Sequence, residues 1–366
     1  MLGKRVTLLI SSLAGGGAEG VCVSVANGLV DQGWQVSLVM LHTEDSTYLG
    51  SLNSNVKVTI LGVNHARNAP IHLLKYIWKN KPRKILVFNY ELTVILIILR
   101  SLFKFKTKII ARNINTFSKN TKRAVGLWKR VVVKPLINYF YCKADHIINQ
   151  CHAMRDDLLN VYPQLASRTS VIYNPVSKRI EEYAKEFNLE KRGKQDYLLC
   201  VGRLEEQKAF HYAIEAFAEI ESMFPTLRLK IVGQGSLESE LKQLAKKLRV
   251  ADRVDFEGFQ ADIIFYYINA KMTLLTSLYE GFPNVLLESI SLGTPVVSFD
   301  CPSGPREIIV EGKNGFLVRD KSVAHLSGKI GYILQNKFSS SIVSSTSTQF
   351  KTEQVIAKYA DKIESI

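Results

Sequence analysis

Ser277-Leu278-Tyr279-Glu280-Gly281-Phe282-Pro283-Asn284-Val285-Leu286-Leu287-Glu288-Ser289 is the stretch on which the reading of this chain turns. Lys271–Thr276, just before it, is apolar and β-favouring and reads as a strand that ends at a turn. Gly281 permits unusual backbone angles, and Pro283 suits the first turn of a helix. A strand therefore runs through a loop carrying one carboxylate, Glu280, into a helix carrying a second, Glu288. The amides of Gly281, Phe282 and Asn284 would face outward at a helix N-terminus, where anions bind. Two solvated helix carboxylates would show the same spacing, so the pair acquires meaning only from its companions.

Three further glycine turns supply them. Val201-Gly202-Arg203-Leu204-Glu205-Glu206-Gln207-Lys208-Ala209-Phe210 follows a predicted strand at Tyr197–Val201. Arg203 offers a planar fork and Lys208 a point charge to diphosphate oxygens. Two ordinary surface cations are the alternative, which the place between a strand and a helix disfavours. Ile231-Val232-Gly233-Gln234-Gly235-Ser236 is another strand-to-helix glycine turn, in which Gly233 and Gly235 could be ordinary turn residues. Leu13-Ala14-Gly15-Gly16-Gly17-Ala18-Glu19 follows the first strand and opens a helix, so Gly15, Gly16 and Gly17 let the backbone approach a diphosphate. A dinucleotide-binding dehydrogenase uses a similar turn. Here the spacing is not GxGxxG, and the nearest acidic residue, Asp45, sits in a loop.

Glu280-Gly281-Phe282-Pro283 with Glu288 resembles the paired-glutamate motif of retaining nucleotide-sugar glycosyltransferases, in glycosyltransferase family 4, group 1, the bacterial surface-glycan type. Gly202-Arg203 with Lys208 resembles the phosphate clamp of that family. The likeness is strong from Tyr197 to Val318 and weak before it. It implies an α/β GT-B fold, with two facing Rossmann-like domains, an active site in the interdomain cleft and a C-terminal helix crossing back to the first domain. It also implies roles. Glu280 would lie near the sugar and Glu288 on the ribose, with Arg203 and Lys208 on the leaving diphosphate. Gly15–Gly17, Gly202, Gly233, Gly235 and Gly281–Asn284 would border the donor, as would Phe256–Phe259. In Cys301-Pro302-Ser303-Gly304-Pro305-Arg306-Glu307, Arg306 and Glu307 read as buried partners holding the loop or as donor contacts. Three positions depart from the family pattern. Gly20 stands where an Arg often follows the Glu, and Ala209 where Gly follows the Lys. After the predicted strand Thr107–Ala111, Arg112 and Asn113 stand where many members carry a His. They are candidate acceptor or sugar contacts, but neither is a conventional general base at neutral pH.

The rest of the chain accommodates this reading. Its 366 residues suit two domains of ordinary size. Strand-like runs alternate with helical stretches, which favours parallel sheets. The expected division is residues 1–177, a connection at 178–195, a nucleotide-sugar domain at 196–348, and a helix at 349–366 packing back on the first domain. Serine-rich Ser339–Ser347 reads as a loop. No apolar run reaches the ~18 residues of a membrane-spanning helix. Five cysteines without CxxC spacing and histidines without ligand spacing predict neither disulfides nor a metal centre, and no cofactor is expected.

The charge adds a partner. The chain carries a net +15, and no acidic residue lies between Glu91 and Asp145. Basic residues interleaved with aromatics there fit an anionic membrane surface, with Lys119, Lys122, Arg123, Trp128, Lys129 and Arg130 as candidate contacts. Nucleic acid or a plain solvated face are the alternatives, and no nucleic-acid partner is expected. The function that emerges is transfer of a hexose or N-acetylhexosamine, from a donor expected to be UDP-linked, to a sugar hydroxyl on a lipid-linked glycan. The enzyme would lie peripherally at the cytoplasmic membrane face and serve a polysaccharide such as a capsule or O-antigen. An NAD-dependent oxidoreductase would explain the first glycine turn but not Arg203, Lys208 and the paired glutamates. A non-catalytic basic protein binding glycan or nucleic acid would leave the strand-to-helix phosphate sites without purpose.

Overall fold

The computed structural model describes residues 4–44, 46–113, 134–187, 189–191 and 193–366. Asp45 and the six expected membrane contacts between Lys119 and Arg130 lie outside them. The chain forms two compact units, residues 1–177 with 352–366, and residues 178–351.

In the first unit, strands β1 (Arg5–Ile10), β2 (Gln35–Met40), β3 (Lys57–Ile60), β4 (Lys84–Val87), β5 (Lys108–Asn113), β6 (His146–Asn149) and β7 (Thr169–Val171) form one parallel sheet. Its order is β3-β2-β1-β4-β5-β6-β7. Continuous apolar runs become strands buried on both faces. In β1, Val6, Leu8 and Ile10 enter one core and Leu9 the opposite one. Helix α1 (Gly17–Asp31) covers the first face, and α2 (Pro70–Asn80) and α3 (Tyr90–Phe103) the second. Helices α4 (Lys134–Tyr141) and α5 (His152–Val161) follow.

The second unit has strands β8 (Tyr197–Val201), β9 (Arg228–Val232), β10 (Val254–Gly258), β11 (Met272–Leu275), β12 (Val296–Phe299) and β13 (Gly315–Val318). They lie in the order β10-β9-β8-β11-β12-β13. Its helices are α6 (Lys178–Glu186), α7 (His211–Ile220), α8 (Glu238–Lys247), α9 (Ile264–Asn269), α10 (Asn284–Ser291), α11 (Pro305–Ile308), α12 (Val323–Gln335) and α13 (Ser340–Ser345). Helix α13 corrects the expected serine loop. The Ser339 hydroxyl caps it by accepting the Ile342 amide, and Ser340 and Val343 are buried. Capping and tertiary burial override poor intrinsic propensity.

The final helix, α14 (Thr352–Ser365), belongs to the first unit. It buries Val355, Ile356, Tyr359, Ala360 and Ile363 with α1 in the first core, so the chain does return to its first unit. Gly28 lets the two helices meet, since a Cβ there would lie 2.5 Å from Ile356 Cγ1. In both units the strand order reverses direction about one strand, β1 and β8 respectively. Ligands of open α/β sheets lie beyond the carboxyl ends of strands at that reversal. The glycine turns after β1 and β8 both leave from such a point.

Candidate active site

Two neighbouring loops of the second unit are knit together backbone to backbone. In the loop after β8, the Gly202 amide donates to Val232 O at 2.9 Å and the Leu204 amide to Gln234 O at 2.9 Å. The Leu237 amide returns a bond to Leu204 O at 3.0 Å. Gly233 has φ +140°, and a Cβ there would stand 1.9 Å from Gly202 O. A Cβ on Gly235 would meet Leu204 O at 2.3 Å. Both glycines are thus required by the packing of the two loops. Ala209, where the family pattern has Gly, takes φ +47°. That left-handed conformation costs a residue with a Cβ on the order of 1 kcal/mol.

The loop after β8 separates its two cations. Arg203 is exposed, and its guanidinium has no partner among the described residues. Lys208 turns inward, and its Nζ donates to Glu280 Oε1 at 2.6 Å with both side chains nearly withdrawn from water. The loop after β11 is held from several sides. Ser277 Oγ donates to the same Glu280 oxygen at 2.6 Å, and Ser303 Oγ to the Glu280 carbonyl at 2.5 Å. Gln207 Nε2 donates to Tyr279 O at 2.9 Å, and Thr276 Oγ1 to Lys208 O at 2.9 Å. Gly304, with φ +93°, lets the next loop close over this one, since a Cβ there would lie 2.5 Å from Pro283 Cδ. Arg203, Lys208 and Glu280 are therefore carried on loops that brace each other at the carboxyl edge of one sheet.

Pro283 is the N-cap residue of α10, and Asn284 its first residue. Glu288, on the same helix, is half-buried and accepts a 2.8 Å hydrogen bond from Tyr267 Oη, whose ring is fully buried on α9. Removal from water raises the Glu288 carboxyl above its ordinary value of 4.5, and the Tyr267 bond partly opposes the rise. A proton held by the folded chain and lost by the unfolded one makes stability fall as pH rises from about 4.5 to the raised folded value. Glu288→Gln should remove that slope. The melting temperature of the variant, relative to the parent, is expected to climb over this window and then stay level. An offset independent of pH would mean that Glu288 ionises as freely as an exposed carboxylate.

Glu257 is fixed by Lys230 and by Tyr266 Oη at 3.1 Å, while Phe259 beside it is exposed. The Asp300 carboxylate binds Arg306, with Nε 2.7 Å from Oδ1. Arg306 itself is 72% exposed, which corrects the expectation of a buried partner. It anchors the loop from outside.

In the first unit, Gly16 caps α1 and Gly17 begins it, so the triple-glycine turn opens a helix as expected. Gly20 lies under Tyr48, with 3.4 Å, an ordinary contact distance, from a built Cβ to the phenol oxygen. Arg112 and Asn113, expected as acceptor or sugar contacts, are both buried and make hydrogen bonds inside the first unit. Arg112 Nε donates to Tyr359 Oη on α14 at 3.0 Å, and its Nη2 to Asn174 Oδ1 at 2.5 Å. Its guanidinium also lies 5.3 Å from the centre of the Phe88 ring. Asn113 Nδ2 donates to Asn149 Oδ1 at 3.0 Å. Arg112 thus ties the final helix and the turn after β7 to the sheet.

Sequence reasoning did not find Ser277, Ser303 or Tyr267. Their spacing from the glutamates carries no signal that they are partners.

Comparison with known proteins now bears on this geometry. Residues 182–360 match the family model described as glycosyl transferases group 1, and residues 15–179 match glycosyltransferase family 4. An uncharacterized glycosyltransferase of Methanocaldococcus jannaschii is 30% identical over 278 residues, covering 73% of this chain and 66% of that one. A Campylobacter jejuni N-acetylgalactosamine-N,N'-diacetylbacillosaminyl-diphospho-undecaprenol 4-alpha-N-acetylgalactosaminyltransferase is 25% identical, covering 86% of each chain. Among solved structures, Anabaena HepE in complex with UDP-glucose superposes with a TM-score of 0.79 at 20% identity, covering 99% of this chain and 100% of that one. The last is a likeness of fold, the two-domain GT-B architecture.

Proposed function

The chain belongs to the group 1 glycosyltransferases of glycosyltransferase family 4, and on that premise we propose that it moves a hexose or N-acetylhexosamine from a nucleotide-diphosphate sugar to a sugar hydroxyl of a lipid-linked glycan, with retention at the anomeric carbon. The observation that carries this reading is the bracing together of Arg203, Lys208 and Glu280 at the carboxyl edge of the second sheet, beside the helix that bears Glu288. The diphospho-undecaprenol acceptor in the Campylobacter relative's name fits a lipid-linked glycan acceptor, and the UDP-glucose bound by HepE fits a UDP-linked donor; we place the reaction at the cytoplasmic membrane face.

The chemistry follows from charge. The bond from the anomeric carbon to the β-phosphate oxygen breaks, and its electron pair stays on the phosphate. Arg203 meets that growing charge. Lys208 has three N–H donors, so one can remain on Glu280 while the others reach phosphate. The acceptor oxygen attacks the face the phosphate leaves, and its proton passes to the departing phosphate oxygen. This path needs no side-chain base, which accords with the burial of Arg112 and Asn113. Glu288 holds the ribose and Glu280 both positions Lys208 and meets the sugar. No helix among the described residues is long and apolar enough to cross a membrane.

A panel of nucleotide sugars, assayed for slow donor hydrolysis in excess EDTA, tests the reading without a known acceptor. One nucleotide-diphosphate sugar should be hydrolysed, because fixed cations occupy the role a divalent ion would fill. Hydrolysis that vanishes in EDTA and returns with Mg²⁺ or Mn²⁺ would overturn metal independence. Failure of every donor, with reduction of NAD instead, would favour the oxidoreductase.

A further inference from the structure

We propose that the ends of α2 and α3 form a docking surface for an anionic lipid bilayer. The inference rests on the proposed use of a lipid-linked acceptor, but the observations are independent of it. Trp78 on α2 and Phe103 on α3 are 55% and 46% exposed, and their rings meet edge to face with centroids 5.6 Å apart. Leu102 beside them and Ile71, two turns before Trp78 on α2, are 68% and 66% exposed. A joined aromatic pair and two large aliphatics left in water on neighbouring helices call for a cover.

The charge around them says which. Within the described residues 46–113 the only acidic residue is Glu91, against twelve lysines and arginines. Glu91 sits in the first turn of α3, about 18 Å along the helix from Phe103. Lys75, Lys79, Lys81, Lys104 and Lys106 are exposed near the aromatic pair, and none forms an ion pair with a described residue. Both helices end in a left-handed residue, and in both it is a lysine: Lys81 at φ 45° and Lys104 at φ 53°. Glycine is the residue that conformation prefers. A cation stands there twice, at the same surface and despite the backbone cost. Aromatic and aliphatic side chains ringed by lysines suit the headgroup layer of an anionic membrane, where rings sink shallowly and ammonium groups stay with phosphates.

The test uses the full chain with Trp128→Phe, which leaves Trp78 as the exposed reporter among described residues beside buried Trp34. Vesicles of mixed phosphatidylglycerol and phosphatidylcholine should carry the protein down on sedimentation and shift its tryptophan emission to the blue. Pure phosphatidylcholine should do neither, and high salt should reverse both effects. Lys79→Glu with Lys104→Glu, and separately Trp78→Ser with Phe103→Ser, should each lower vesicle affinity roughly tenfold or more. Donor hydrolysis in solution should be unchanged in both variants, which separates this surface from the catalytic reading. Parental affinity in the variants, equal binding to neutral vesicles, or no binding by the full chain would overturn the proposal. So would loss of binding only when Lys122, Arg123, Lys129 and Arg130 are reversed. Dimerisation through the patch, seen as a doubled mass by light scattering and lost in Trp78→Ser with Phe103→Ser, would likewise replace the bilayer with a second copy.

Discussion

Lys208→Met is expected to destabilise the second unit and to remove nearly all transfer, and adding Glu280→Gln should restore the stability but not the transfer. The two side chains are 15% and 9% exposed and share a 2.6 Å hydrogen bond. Removing one partner strands the other charge away from water, at a cost of about 3 kcal/mol. Replacing both removes the stranded charge, so the double variant should unfold close to the parental denaturant midpoint. Ser277 would still bond the new amide. Catalysis follows another course. Loss of one group that stabilises the leaving phosphate costs about 10²–10³ in rate, and no neutral pair replaces it. Denaturant unfolding and donor hydrolysis, measured on both singles and the double, make a complete cycle. Stability losses that simply add would mean the pair is not coupled. Parental hydrolysis in Lys208→Met would remove Lys208 from the chemistry.

Gly233→Ala should be among the most damaging single methyls in the chain's second unit. Its Cβ would enter backbone, 1.9 Å from Gly202 O, in a residue already at φ +140°. Neither obstacle is a flexible side chain that can swing away. The loop bearing Arg203 and Lys208 must shift, and a displacement of an ångström can cost 10²-fold in rate. A stability loss of about 3 kcal/mol is expected for overpacking combined with backbone strain. Gly312→Ala provides the control, because Gly312 has φ +76° but open space around it. It should cost only about 1 kcal/mol and leave hydrolysis intact. Similar effects at the two positions would show that loop packing is not what Gly233 serves.

The architecture was legible because each strand is a short, continuous apolar run. Val6–Ile10 and Tyr197–Cys200 are buried on both faces, and such runs between helical stretches have few folds open to them. The loops at the site were legible for a related reason. Glycine next to a cation or carboxylate, after a strand, is a local pattern. What stayed hidden was long-range. Lys208 and Glu280 are 72 residues apart, and nothing in either segment says that they pair. Tyr267 is an unremarked residue on a short helix until α10 brings Glu288 onto its hydroxyl. Arg112 occupies a position where the family pattern suggested a sugar contact, and only the packing of α14 turned it inward to Tyr359. The helix at Ser340–Ser345 depends on burial of Val343, which composition does not reveal.

The central claim is that fixed cations of the second unit bind the donor's diphosphate. Calorimetric titration of UDP and UMP, in EDTA, into the parent and Arg203→Ala tests it most directly. The Arg203 guanidinium is exposed and has no partner among the described residues, so truncating it to Ala should leave the fold intact. The parent should bind UDP at least about tenfold more tightly than UMP, as charge-assisted bonds to a second phosphate require. Arg203→Ala should bring UDP down toward the affinity of UMP while leaving UMP nearly unchanged. Equal affinities of the parent for the two nucleotides, or a UDP preference that survives in Arg203→Ala, would contradict the account.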